Sequence, residues 1–149
     1  MEALKVAIAD DNENMLKVLG QVIGQEQDLS VVGTATNGED TFHIIKEKEP
    51  DVVLLDIIMP QIDGLTVMEK VHKDKEIRKT PAFIIISAIG RDSVTEDAFN
   101  MGASYYIMKP FDNDMLINRI RYIRNVHAEN TKAGAAPALE HTVVSDRNL

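Results

Sequence analysis

The sequence predicts an α/β protein, a doubly wound and mostly parallel sheet with helices on both faces, and three observations predict it. Short apolar runs alternate with longer amphipathic stretches five times along the chain. The runs, at residues 5–9, 29–35, 52–56, 82–87 and 105–108, are strand-length and mostly rich in Val and Ile. Few polar residues interrupt them, which is how strands covered on both faces read. Strand followed by helix, repeated, makes βαβ units and hence parallel pairing.

Each helix has its own signal. After the first run, Met15, Val18, Leu19, Val22 and Ile23 fall at i, i+3, i+4, i+7 and i+8, a single apolar stripe. After the second, Asn37-Gly38 opens a helix that carries Phe42 and Ile45 and closes before Pro50. The third helix runs through Leu65, Met68 and Val71. A fourth takes Asp92 or Ser93 as its cap and ends at Gly102. The last carries Leu116, Ile120 and Ile123 on one face, flanked by Arg119, Arg121 and Arg124. Those arginines read as a solvated face or as a partner surface. From about Ala128 the periodicity stops, and a stretch with Gly134 and Pro137 reads as a flexible linker. The expected organisation is one domain over 1–127 and a linker over 128–149 leading to a further domain outside this sequence.

Composition narrows the function classes. A chain of 149 residues supports one core. No apolar run is long enough to span a bilayer and no signal pattern opens the chain, so no membrane partner is expected. The absence of cysteine removes disulfides and thiolate metal sites and makes a reducing cytoplasm the default location. A net charge of −8 opposes direct binding to nucleic acid. DNA is then reached only through a segment this sequence lacks.

Ligands of such sheets bind beyond the carboxyl ends of the strands, where strand order reverses. The first strand ends in Asp10-Asp11, the third in Asp56, the fourth in Ser87 and the fifth in Lys109-Pro110. Three carboxylates, a hydroxyl and an ammonium therefore converge on one edge. Clustered carboxylates repel unless a cation neutralises them, and hard oxygen donors with open water positions suit Mg²⁺; Mn²⁺ or Ca²⁺ are substitutes. The metal ligands are Asp10, Asp11, Asp56 and the Ile58 carbonyl, which follows where the chain turns before Pro60. Asp56 is the nucleophile, since a carboxylate can form an acyl-phosphate. Lys109 and the metal offset charge on the transferring phosphoryl group, and Ser87 donates to one of its oxygens. Taken singly, each has a plainer reading: Asp10-Asp11 as a helix cap, Asp56 as a turn residue, Ser87 as a strand-end hydroxyl, Lys109 as the start of a turn. It is the combination at four strand ends that points to chemistry.

The segments Ala9-Asp10-Asp11-Asn12, Leu55-Asp56-Ile57-Ile58-Met59-Pro60, Asp63-Gly64, Ser87-Ala88 and Lys109-Pro110-Phe111 resemble the receiver domains of two-component response regulators over roughly 4–126. The resemblance implies a (βα)5 flavodoxin-like fold with sheet order 2-1-3-4-5. It implies phosphorylation of Asp56 from a histidine kinase or histidine phosphotransferase, metal binding by Asp10 and Asp11, and a cis Lys109-Pro110 bond. It makes Ser87 and Tyr106 a switch, the hydroxyl turning toward the phosphoryl group and the aromatic moving inward behind it. Serine rather than the commoner threonine at position 87 is a mild departure from the family pattern. A homodimer favoured by phosphorylation, through the face of the fourth helix, fifth strand and fifth helix, is the expected consequence. Leu55 to Pro60 with Asp63-Gly64-Leu65, and Gly102 to Tyr106 running on to Lys109-Pro110-Phe111-Asp112, are similar to the branch that controls sporulation in endospore-forming bacteria. Ser145 to Leu149 looks like the approach to that branch's DNA-binding effector domain.

Three rival classes fit less well. A phosphohydrolase of the haloacid-dehalogenase type wants a second acid two residues after the nucleophile, where this chain has Ile58. A pseudo-receiver, a binding module without the chemistry, would have lost pocket side chains that are all present here. A flavodoxin-like cofactor site lacks a phosphate loop after the first strand. The expected activity is a switch that catalyses its own phosphotransfer and dephosphorylation, rather than a turnover enzyme.

Overall fold

The computed structural model describes residues 2–60, 62–88, 90, 92–133 and 142–144, and its strands form one parallel sheet. The elements are β1 (Leu4–Ala9), α1 (Glu13–Gly24), β2 (Leu29–Ala35), α2 (Gly38–Lys48), β3 (Val52–Leu55) and α3 (Gly64–Lys73), followed by β4 (Ala82–Ser87), α4 (Asp92–Asn100), β5 (Ala103–Met108), α5 (Asn113–Ala133) and β6 (Thr142–Val144). The sheet order is β2-β1-β3-β4-β5-β6, so the expected 2-1-3-4-5 arrangement holds and gains a sixth strand at its edge.

Side-chain alternation along the strands divides the core in two. Val6, Ile8, Leu54, Ile84, Ile86 and Ile107 point to one face and pack with Leu19 and Ile23 of α1 and Leu116, Ile120 and Ile123 of α5. Ala7, Ala9, Val53, Leu55, Phe83, Ile85 and Tyr106 point to the other, against Ile45, Val67, Met68, Val71 and Ala98 of α2, α3 and α4. This period of two explains why the strands read as unbroken apolar runs: both faces are dry. Each fully buried aliphatic side chain contributes about 1.5–3 kcal/mol against exposure, which fixes strand register and so the position of every strand end.

Caps set where helices begin. Asn12 accepts hydrogen bonds from Asn14 N and Met15 N at the start of α1, and Asn37 accepts from Asp40 N at the start of α2. Asp63 does the same for α3 through Thr66 N. After α4, Gly102 takes φ +104, a left-handed conformation that glycine tolerates best.

Two sequence expectations change. Residues 128–133, read as the start of a linker, continue α5, and residues 142–144 pair with β5 as Tyr105↔Thr142, Tyr106↔Val143 and Ile107↔Val144. No apolar stripe marks residues 128–133, so periodicity alone cannot detect this extension of the helix. Arg121 is also not a free surface cation. It donates to both carboxylate oxygens of Asp28, each at 2.9 Å, and to Glu26 at 2.9 Å, tying α5 to the α1–β2 loop. The side chain of Arg124 lies outside the described residues.

Candidate functional site

Strand order reverses beside β1, which pairs with β2 on one side and β3 on the other. At that reversal the sheet delivers Asp10 and Asp56. Both are buried, although neither is apolar, and Asp11 beside them is exposed. One carboxylate oxygen from each of Asp10, Asp11 and Asp56 falls in a group whose members all lie within 4.8 Å of one another. It is the one such group of acidic or histidine side chains among the described residues.

The helix-cap reading of the Asp10-Asp11 pair is settled by its neighbour. Asn12 takes the cap, and Asp10 Oδ1 accepts the Asn12 amide at 2.9 Å instead of capping the helix. Asp10 Oδ2 and the Asp11 carboxylate remain aimed at the pocket side of the loop. Asp56 Oδ1 accepts the Ile58 amide at 3.2 Å, so the chain folds back over the acid and carries Ile58 past it. Gly64 is needed close by: a Cβ there would stand 2.5 Å from the Asp56 carbonyl oxygen. The Asp63-Gly64 pair thus caps α3 and lets it approach the end of β3.

Lys109 closes the pocket from the end of β5. Its Nζ donates to Asp10 Oδ2 at 2.8 Å and to Asp56 Oδ2 at 3.1 Å, and the Lys109-Pro110 peptide is cis. One ammonium faces three carboxylates, so the pocket keeps an excess of negative charge. Burial pushes the Asp56 carboxyl above its ordinary range; Lys109 opposes the rise and Asp10 adds to it. Burial would lower the Lys109 ammonium, but the Asp10 hydrogen bond and the charges of Asp56 and Asp10 outweigh it and hold it up.

Hard oxygen donors, partial burial and uncompensated charge fit a small divalent cation. An open crevice of about 440 Å³, lined by Asp11, Asn12, Glu13, Asn14, Thr36 and Pro60, adjoins the cluster at Asp11.

Behind Asp56, Ser87 ends β4 and is fully buried, as is Tyr106 on β5. The Tyr106 hydroxyl hydrogen-bonds with the side chains of Ser87 and Thr95; burial raises the phenol's pKa, and the charge of Asp56 adds to the rise. Tyr106 is therefore an interior residue. Asp10, Asp11, Asp56, Ser87 and Lys109 thus gather at this edge of the sheet, with Tyr106 inside it. Thr95 was missed, because a threonine on a short amphipathic helix carries no distinguishing pattern. His72 Nε2 lies 2.7 Å from the Met101 carbonyl, a structural contact.

A doubly wound sheet with an acidic, lysine-closed crevice at its switch point places the chain in the CheY-like class of α/β domains. Residues 6–121 match the family model of the response regulator receiver domain, and the chain belongs to that family. Solved structures agree. The response regulator domain of Thermotoga maritima CheB is 27% identical, with a TM-score of 0.74 over 83% of this chain and 98% of that one. A CheX–CheY–BeF3–Mg²⁺ complex from Borrelia burgdorferi contains a chain 30% identical, with a TM-score of 0.73 over 82% of this chain and 90% of that one. A LuxR-family DNA-binding response regulator from Staphylococcus aureus is 28% identical, with a TM-score of 0.73 over 80% of this chain and 98% of that one.

Proposed function

We propose that this receiver domain accepts a phosphoryl group on Asp56 from a phosphohistidine donor, with Mg²⁺ held by Asp10, Asp11, Asp56 and the Ile58 carbonyl, and passes the change to a transcriptional output. The observation that carries the reading is the Lys109 ammonium bonded to both Asp10 and Asp56, beside an exposed Asp11. The cation offsets the negative charge that a nucleophilic carboxylate and a phosphoryl group bring together.

The chemistry follows from these residues. Asp56 Oδ2 attacks phosphorus in line with the donor imidazole nitrogen; the new O–P bond forms as the N–P bond breaks, and the imidazole leaves. Lys109 holds one phosphoryl oxygen and Ser87 donates to another. Bound Mg²⁺ supplies charge neutralisation to the phosphoryl oxygens. Hydrolysis of the acyl-phosphate by water resets Asp56. The domain is substrate and catalyst of its own modification, with no separate turnover.

The switch reading assigns Ser87 and Tyr106 to the coupling of Asp56 with the α4–β5–α5 face. A phosphorylation-favoured homodimer through that face is part of the proposal; unchanged sedimentation after full phosphorylation would remove it. The sporulation branch is proposed from the segments around Asp56 and Lys109, and a receiver of another DNA-binding regulator is the alternative. The DNA-binding domain belongs to the proposed full-length protein, reached through the tail beyond 127, in a cytoplasmic setting. Among the described residues no helix is long and apolar enough to cross a membrane.

Beryllofluoride, a tetrahedral stand-in for a phosphoryl group, gives the direct test. Bound fluorine-19 resonances should appear with Mg²⁺ and vanish in Asp56→Asn or in EDTA. Bound signals that survive Asp56→Asn would contradict the assignment.

A further inference from the structure

Helix α4 is the most lightly anchored of the helices flanking the sheet. Of its described side chains only Ala98 is fully buried, with Val94 and Phe99 partly so. By contrast α5 buries Leu116, Ile117, Ile120 and Ile123. With so little apolar contact, one buried polar bond carries unusual weight in placing α4. That bond joins Thr95, partly buried on α4, to the hydroxyl of Tyr106, which is 0% exposed.

The same hydroxyl also bonds Ser87. A phenol has one proton, so Tyr106 donates to one of its two partners and accepts from the other. Ser87 likewise has a single proton to give. When that proton goes to a phosphoryl oxygen, Ser87 can only accept from Tyr106, and a phenol that gives its one proton to Ser87 can then only accept from Thr95. The orientation of the Ser87 hydroxyl is thus linked to the α4 contact through two consecutive hydroxyl bonds that meet at the buried Tyr106 hydroxyl.

We propose that Thr95 is a third switch residue, a positioning residue that ties α4 to Tyr106 and transmits the state of Ser87 to that helix. This rests on the reading of Ser87 and Tyr106 given above, and it adds the group through which the helix is held. Thr95 touches neither metal nor phosphoryl group, so it governs the output of the switch and leaves the chemistry alone.

Hydrogen exchange of backbone amides in the whole chain tests this, with Thr95→Val, Thr95→Ser, Tyr106→Phe and the Thr95→Val/Tyr106→Phe double variant. Valine keeps the shape of threonine and removes only the hydroxyl. Without any phosphoryl mimic, Thr95→Val should speed exchange in α4 about tenfold while α1 and α5 stay unchanged. Thr95→Ser should behave as wild type. Tyr106→Phe also removes the Ser87 bond, but in α4 it should reproduce the valine effect and the double variant should add nothing further there, because both single changes remove the same Thr95–Tyr106 bond. Labelling by acetyl phosphate should stay within about twofold for Thr95→Val.

Unchanged α4 exchange, additive effects in the double variant, or loosening spread equally over α1 and α5 would each overturn the proposal. The arm without phosphoryl mimic decides Thr95 even if Asp56 proves inert, whereas loss of labelling in the wild type would count against the phosphoacceptor reading alone.

Discussion

Lys109 Nζ lies 3.1 Å from Asp56 Oδ2, although the two residues are 53 positions apart. The same nitrogen holds Asp10, so the ammonium bridges the ends of β1 and β3. Among the described residues it is the one cation hydrogen-bonded to the cluster of three carboxylates.

Removing that cation should therefore destabilise the metal-free protein. Lys109→Met is expected to cost about 1–3 kcal/mol, less than a fully buried pair because the lysine side chain is still 20% exposed. Added Mg²⁺ should shrink the loss, since it supplies the missing positive charge. Urea titrations with and without Mg²⁺ check this; a loss that Mg²⁺ leaves untouched would contradict the charge argument.

Asp56 gives a pH signature. Its carboxyl is held above the ordinary range by burial, with Lys109 opposing. The folded chain then binds this proton more tightly than the unfolded chain, whose carboxyl titrates near ~3.9. The resulting stabilisation is full below the unfolded value and is lost as pH rises through the folded value. At pH 7 without metal, ionised Asp56 works against the fold. Asp56→Asn should then raise stability by ~0.5–2 kcal/mol, at roughly 2–4 °C per kcal/mol in Tm, with the gain fading toward acid pH. Calorimetry in EDTA across that range measures it, and a lower Tm for the asparagine variant at pH 7 would contradict it.

Gly64 sits where side chains do not fit. A Cβ would lie 2.5 Å from the Asp56 carbonyl oxygen and 3.0 Å from the Ile57 Cα, both backbone atoms that cannot swing aside. Gly64→Ala should cost about 1–3 kcal/mol and slow phosphoryl uptake by displacing the loop that carries Asp56. Denaturant midpoints and labelling rates report the two effects together. A variant with wild-type values for both would show that the loop yields freely.

Arg121 predicts a salt-dependent staple. Its bidentate pair with Asp28 and contact with Glu26 are partly exposed, so Arg121→Ala should cost about 0.5–1 kcal/mol. The loss should diminish in 1 M salt. Equal losses at low and high salt would assign the effect to the arginine's apolar stem instead.

The sequence made the sheet and the pocket legible for a physical reason: both faces of the strands are buried, so their runs are unbroken and their polar ends stand out. Asp10, Asp56, Ser87 and Lys109 were visible as the first polar residues after apolar ones. Asn37 announced α2 because a cap acts within three residues of itself. The features that escaped depend on contacts made at a distance. Arg121 meets Asp28 across 93 positions, and nothing near either residue signals the other. Thr95 gains meaning only once α4 lies on Tyr106. The β6 pairing involves three residues whose register is set by the β5 edge and not by their own pattern. Asp10 and Asp11 read equally as cap or ligand until Asn12 was found holding the cap.

If Asp56 takes the phosphoryl group in a metal-dependent reaction of the domain itself, intact mass after incubation with acetyl phosphate should register it. Wild type and Asp56→Asn are compared with and without Mg²⁺. The expected result is the gain of one phosphoryl group in the wild type with Mg²⁺, and none in EDTA or in Asp56→Asn. An equal gain in Asp56→Asn, or no gain in the wild type from either acetyl phosphate or a purified phosphohistidine donor, would contradict it.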